Sequence, residues 1–153
     1  DPQSGKGYGY FKTLGTMRGD FTADFDYGGG IVMRAFVANG GEGRGAYALE
    51  GPKAFRHYDR SVSEKPCPAF LVRQKGEAWR RPFVAVYEPS GKGVDAMIES
   101  VASEPLKGDP EGVKVTVRYR NNNRCDEIIH STKTGFSVVA YRNGREVDEY
   151  RPK

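Results

Sequence analysis

The clearest signal along the chain is alternation. Asp20-Phe-Thr-Ala-Asp-Phe-Asp-Tyr27 puts Phe21, Ala23, Phe25 and Tyr27 on one side and Asp20, Thr22, Asp24 and Asp26 on the other. Successive side chains of an extended chain point to opposite faces, so this period of two predicts a half-buried strand. Val113 to Tyr119 repeats the pattern, with Val113, Val115, Val117 and Tyr119 inward and Lys114, Thr116 and Arg118 outward. Ile31 to Val37 is a third strand, with Ile31, Met33, Ala35 and Val37 on one face. Ala46–Glu50, Ala54–Tyr58, Cys125–Ser131, Gly135–Tyr141 and Glu146–Tyr150 read as further strands, and Tyr10–Lys12 as a short edge strand. Turn residues separate them: Gly28-Gly-Gly30, Gly51-Pro52, Ser90–Gly93 and Asn121–Arg124. Asn143-Gly144 is the strongest of these signals, because both residues accept the positive φ of a type I′ hairpin turn.

Ala69–Arg73 and Pro82–Glu88 read as a long hairpin around Gly76 and as the expected centre of the core. Val94 to Ala102 is ambiguous. Val94, Met97, Ile98 and Val101 form a helical stripe, yet strands surround the segment, and a strand is the expectation. About ten short strands at roughly 8–12-residue spacing predict an all-β fold, an antiparallel sandwich or barrel. Residues 1–9 are Gly-rich and expected to be flexible, leaving 10–153 as one β-domain. The opening Asp1-Pro-Gln-Ser-Gly5 reads as a cut end.

Composition narrows the function. The chain has 153 residues, with 20 Gly, 9 Tyr and 8 Phe, which suits many short strands and glycine turns. The net charge is +4, but 20 acidic residues are interspersed, so no dense Lys/Arg field points to nucleic acid. An acidic polysaccharide is an equally allowed partner. No run approaches the roughly 18 apolar residues of a membrane span. Cys67 and Cys125 are too far apart for a CxxC motif; free thiols in separate strands are favoured over a disulfide. Of the two histidines, His57 and His130, neither belongs to an HxH or HExxH pattern. A metal would need both to converge with Asp59 or Asp126, so neither metal nor cofactor is expected.

Three clusters could carry chemistry. Arg56-His57-Tyr58-Asp59-Arg60 is the densest polar stretch. His57 and Tyr58 are residue types that move protons, and Arg56 and Arg60 can pair bidentately with a carboxylate or sulfate. Trp79-Arg80-Arg81 could stack on a sugar ring and hold acidic groups. Arg118, Arg120 and Arg124 could form a basic strip. Against each stands the plainer reading of a solvated loop or strand face. No GxSxG, phosphate loop or aromatic RNA-binding sheet pattern is present.

Phe70-Leu-Val-Arg73, followed by Pro82-Phe-Val-Ala-Val-Tyr-Glu-Pro89 and Ile98-Glu-Ser-Val101, resembles the C-terminal β-sandwich domain of the heparinase II/III-like polysaccharide lyases. Val32–Val37 with Ala48–Pro52, and Val113–Thr116 with Arg124–Ile129, are similar to other parts of that domain, in the same order. The resemblance spans Ile31 to Ser131. It implies a sandwich that lines or supports the cleft for an acidic, uronate-containing polysaccharide such as a glycosaminoglycan, cleaved by β-elimination. It also implies an α-helical toroid as partner domain and a secreted or periplasmic parent. The toroid is absent from this chain, so the domain is expected to be inactive alone. If it contributes chemistry, His57 and Tyr58 are the expected proton-transfer residues, with Arg56, Arg60, Trp79, Arg80 and Arg81 binding substrate. The alternative is a non-catalytic carbohydrate-binding or structural module of a secreted or surface protein.

Overall fold

The computed structural model describes residues 8–40, 43–56, 61–77, 80–120 and 123–152. After a 3-10 turn at Tyr8–Tyr10, eleven strands follow: β1 (Lys12–Met17), β2 (Phe21–Gly28), β3 (Ile31–Ala38), β4 (Arg44–Arg56), β5 (Ser61–Gln74), β6 (Val84–Ser90), β7 (Ile98–Leu106), β8 (Asp109–Tyr119), β9 (Arg124–Ser131), β10 (Gly135–Arg142) and β11 (Arg145–Tyr150). They form three antiparallel sheets, ordered β1-β4-β5, β2-β3-β6 and β11-β10-β9-β8-β7. The expected all-β sandwich is present, with a third sheet added. The expected flexible segment 1–9 lies mostly outside the described residues.

The middle sheet organises the rest. In β3, Ala35, Phe36, Val37 and Ala38 are all buried, one after another. Alternation exposes every second residue of a strand covered on one face only, so four consecutive buried residues require cover on both faces. Phe36 stands opposite Thr22 of β2 and Val86 of β6. With Val84 and Val86 it packs on Ile98, Val113, Val115 and Val117, and Val101, Tyr119 and Ile128 complete that cluster. On the other face, Phe21 and Phe25 of β2 meet Phe70 of β5, with ring centroids 5.6 and 5.9 Å apart. The first pair is edge-on, an arrangement that aromatic quadrupoles favour.

The structure corrects several strand expectations. Ala69–Arg73 and Pro82–Glu88 are not a hairpin. β5 pairs with β4 and β6 pairs with β3, in different sheets. Only the second segment reaches the main core. Gly51-Pro52 does not end a strand: β4 continues to Arg56 and absorbs the interruption as register shifts after Glu50 and Lys53. β5 opens at Ser61, well before the apolar stretch that begins at Ala69. Tyr10 belongs to the 3-10 turn, and the edge strand begins at Lys12. Val94–Ala102 resolves into a strand from Ile98 onward. Its first residues are fixed by the buried Glu88, whose Oε1 accepts from the backbone N–H groups of Met97 and Ile98. The helical stripe loses to this anchor and to pairing with β8. Asn143-Gly144 turns as expected, with φ of 53° and 73°.

Asp109 joins two turns at one end of the large sheet. Its carboxylate accepts from Ser131 Oγ, Thr132 N and Thr132 Oγ1, each at 2.8 Å. Gly112 permits this arrangement, because a Cβ there would lie 2.8 Å from Asp109 Cγ. The Ser131 and Thr132 hydroxyls hold the Asp109 carboxyl down at about 2, against the opposing effect of burial. A depressed carboxylate stabilises the fold above its unfolded pKa, near 3.8, and this contribution disappears as pH falls through about 2. Asp109→Asn should therefore lower the melting temperature at pH 7 and flatten its fall between pH 4 and pH 2, as read by circular dichroism. Phe36→Ala should cost about 3–5 kcal/mol in urea unfolding, the usual range for emptying a buried phenylalanine site.

Candidate functional site

The site grows from Arg44, the first residue of β4. Its Nε donates to Gln74 Oε1 at 2.9 Å. Nη1 donates to the Ala38 carbonyl at 3.4 Å, and Nη2 to the carbonyls of Arg81 and of Pro82, the latter at 2.9 Å. The guanidinium also lies over the Phe83 ring, 4.9 Å from its centroid. One side chain thus ties the end of β3, the end of β5 and the segment leading into β6. Burial, with the Arg81 guanidinium nearby, pulls Arg44 below the usual arginine range. The Lys75 N–H donates to the Gly43 carbonyl at 2.9 Å and closes the same corner.

Two clefts open around this tie. One, of about 370 Å³, is lined by Gly43, Gln74, Lys75, Glu77, Arg80 and Arg81. The other, of about 410 Å³, shares Arg80 and Arg81, adds Arg44, and reaches Pro105 of β7 and Gly112 of β8. The cations Arg44, Lys75, Arg80 and Arg81 converge there. The nearby carboxylates are already engaged. Glu77 pairs with Arg80 at 2.7 Å, Asp20 accepts from the Gly40 N–H at 2.8 Å, and Glu104 pairs with Lys114 at 2.6 Å. Counted together, the four cations lining the two clefts exceed the three carboxylates Glu77, Asp20 and Glu104, so the corner carries a modest positive excess that suits a carboxylate or sulfate. Phe83 adds an apolar surface, 52% exposed beside Arg44. Tyr47 and Arg73 border a third cleft that also includes Arg44 and Lys75.

Of the residues singled out from sequence, Arg80 and Arg81 sit at this corner. His57, Tyr58, Asp59, Arg60 and Trp79 lie outside the described residues, as does the side chain of Arg56, the last residue of β4. His130 and Asp126 are both on β9, four residues or roughly 13 Å apart along a strand, too far to share a metal. Asp126 is moreover bound to Tyr119 and Arg124. Among the described residues no group of His, Cys, Asp and Glu could hold a metal ion. Cys67 and Cys125 are free thiols on β5 and β9, in different sheets. Among the described residues no helix is long and apolar enough to cross a membrane.

Sequence reasoning missed Arg44, Lys75 and Phe83. Arg44 lies in a glycine-rich stretch without hydrophobic alternation, and Lys75 falls in the turn of the expected hairpin around Gly76. Phe83 carried a usable signal. If Val84 and Val86 point inward, alternation turns Phe83, Ala85 and Tyr87 outward, and Tyr87 is indeed 56% exposed.

An endo-acting ulvan lyase from Formosa agariphila is 32% identical to this chain over 138 residues. The alignment covers 84% of this chain and 16% of the lyase, so the chain spans about one sixth of that relative's length. The chain is thus a distant homologue of part of a polysaccharide lyase. No family model matches the sequence, and no solved structure matches it. The specific heparinase II/III-like resemblance has no support from these comparisons beyond the shared polysaccharide-lyase relationship.

Arg44→Ala should free the segment 80–82, read as faster amide exchange and proteolysis there. Arg44→Lys should not restore protection, because a single ammonium cannot span Gln74 and the carbonyls of Ala38, Arg81 and Pro82 together.

Proposed function

We propose that this chain is the β-sandwich module of a larger polysaccharide lyase, of the heparinase II/III-like kind, and forms one wall of a cleft for an acidic, uronate-containing polysaccharide. The observation carrying this reading is the cationic corner at Arg44, Lys75, Arg80 and Arg81, with Phe83 exposed beside it. It occurs on a chain similar to part of an ulvan lyase. Guanidinium groups can bind uronate carboxylates or sulfates bidentately, and an exposed ring gives the apolar face of a pyranose a surface to stack on. Arg44 is largely consumed by its backbone ties, so its role is to position the segment carrying Arg80 and Arg81. Arg81 and Lys75 make the direct contacts, while Arg80 is held beside them by Glu77.

Chemistry in this reading is β-elimination. A base removes the proton α to the uronate carboxylate, a cation stabilises the charge that develops, and the glycosidic oxygen leaves with a proton. The module supplies binding, and the remainder of the parent, expected to include an α-helical toroid, supplies most of the machinery. If the module adds proton transfer, His57 and Tyr58 at the β4–β5 connection carry it, with Arg56 and Arg60 on the carboxylate and Trp79 on a sugar ring. In this reading the parent is secreted or periplasmic, in reach of a polymeric substrate.

The test is gel-retardation electrophoresis of the isolated chain in ulvan, heparin and polygalacturonate, paired with absorbance of the unsaturated uronate product. Retardation by at least one polyanion, weakened about tenfold by Arg81→Ala combined with Lys75→Ala and suppressed by salt, is the expected result. No product should form from the chain alone. Retardation without product from the complete parent would instead favour a purely carbohydrate-binding module. Absence of retardation by every polyanion would sink the glycan-binding reading.

A further inference from the structure

A separate cleft, of about 680 Å³, lies at the opposite end of β8, where β8 leads into β9 and β10 into β11. Across the outer face of the large sheet, Arg118, Cys125 and Tyr141 stand in one row on neighbouring strands. Cys125 is the small member of the row, so the face dips between the arginine and the tyrosine. Glu99 and Glu127 also line the cleft. The rim is built from two turns tied together: Asn123 Nδ2 donates to Asn143 Oδ1 at 3.0 Å, and Asn143 N donates to the Asn123 carbonyl at 3.0 Å. Both asparagines hold positive φ, 42° and 53°. Beneath them Arg124 makes a two-pronged bond to Asp126, at 3.0 and 2.8 Å, and lies 4.8 Å from the Tyr119 centroid. Tyr119 OH donates to Asp126 at 2.8 Å. These bonds tie Asn123, Asn143, Tyr119, Arg124 and Asp126 into one frame around the cleft.

We propose that this cleft binds an uncharged sugar unit, stacked on Tyr141 and hydrogen-bonded by Arg118, Asn123, Asn143 and Glu99. Its charge separates it from the Arg44 corner. Arg124 is neutralised by Asp126, Glu127 shares Lys114 at 3.6 Å, and Arg118 is accompanied by Glu99. No net positive field remains to select an anion. What remains is a close mixture of donors and acceptors around an aromatic ring. Sugar hydroxyls both donate and accept, and the C–H face of a pyranose is apolar, so this mixture matches an uncharged sugar better than a carboxylate, a phosphate or a cation. The volume falls within the usual range of small-ligand clefts. The proposal does not depend on the polyanion reading, because it uses other residues at the other end of the sheet.

The experiment is an amide NMR titration of the full chain with neutral hexaoses of xylose, glucose, mannose, galactose and rhamnose, each at millimolar concentration. At least one probe should shift amides clustered at Arg118, Asn123, Cys125 and Asn143. Tyr141→Ala should weaken that binding about tenfold, Tyr141→Phe should retain most of it, and Arg81→Ala should leave it unchanged. Raising salt from 50 to 500 mM should have little effect, in contrast to polyanion binding at the Arg44 corner. The proposal is overturned if no neutral probe shifts these amides, if the shifts survive Tyr141→Ala in a folded variant, or if only polyanions move them in a salt-dependent way. A Tyr141→Ala spectrum that has lost its dispersion transfers the decision to Arg118→Ala, which removes an exposed side chain and should weaken binding in the same manner.

Discussion

The constraint on which this structure depends is the burial of β3 from both sides. A strand in a two-layer sandwich sends alternate residues to solvent. Here Ala35, Phe36, Val37 and Ala38 all lose water together, which is possible only between two other layers. Phe36 meets the valines of β8 below, while Ala35 and Val37 share a face with Phe21, Ala23 and Phe25 above. The other two sheets are positioned by that shared strand. The corner at Arg44 exists because the end of β3, the start of β4 and the approach to β6 must all meet where the middle strand stops. Arg44 donates to the carbonyls of Ala38, Arg81 and Pro82 at this meeting point, and the cationic cleft forms around it.

Much of the fold was legible because alternation survives wherever one face is wet. Phe21 to Phe25 and Val113 to Tyr119 fell on the faces their pattern implied. Sheet membership was not legible. Ala69–Arg73 and Pro82–Glu88 are near in sequence, apolar and separated by turn residues, which is all a hairpin shows locally. Their partners, β4 and β3, are set by contacts across the chain. The near-continuous apolar run from Ile31 to Ala38 did hold information about double burial, which a one-faced reading overlooked. At the site, Arg80 and Arg81 could be singled out by residue type. Arg44 could not, because its importance arises from three carbonyls and an amide brought together from distant segments. The Arg118 and Arg124 strip was visible, but the neutralisation of Arg124 by Asp126, its neighbour two residues along one strand, appears only with side-chain geometry.

The two clefts differ in how their charges are matched. At the Arg44 corner the acids are engaged and the cations exceed them. At the Arg118–Tyr141 cleft, acids and bases are nearly balanced around a phenol. The large sheet links them, since β8 runs from Gly112 and Val113 beside one to Arg118 and Tyr119 beside the other. A hydrogen-bonded sheet is a natural support for contacts spaced along a polymer, because its strand register holds their separation.

The first sheet has a different status from the other two. It meets the middle layer through Phe70 against Phe21 and Phe25, and through the carbonyl ties of Arg44. The cluster centred on Phe36, by contrast, joins the middle and large sheets through many apolar groups. Unequal attachment of this kind produces unequal local stability, and the weakly held part opens first. β4 and β5 can therefore loosen while the Phe36 cluster stays intact. Because they carry half of the cationic corner, a bound polymer would act as a brace on the least anchored layer of the molecule, and occupancy of the cleft and order of that layer become two views of one equilibrium.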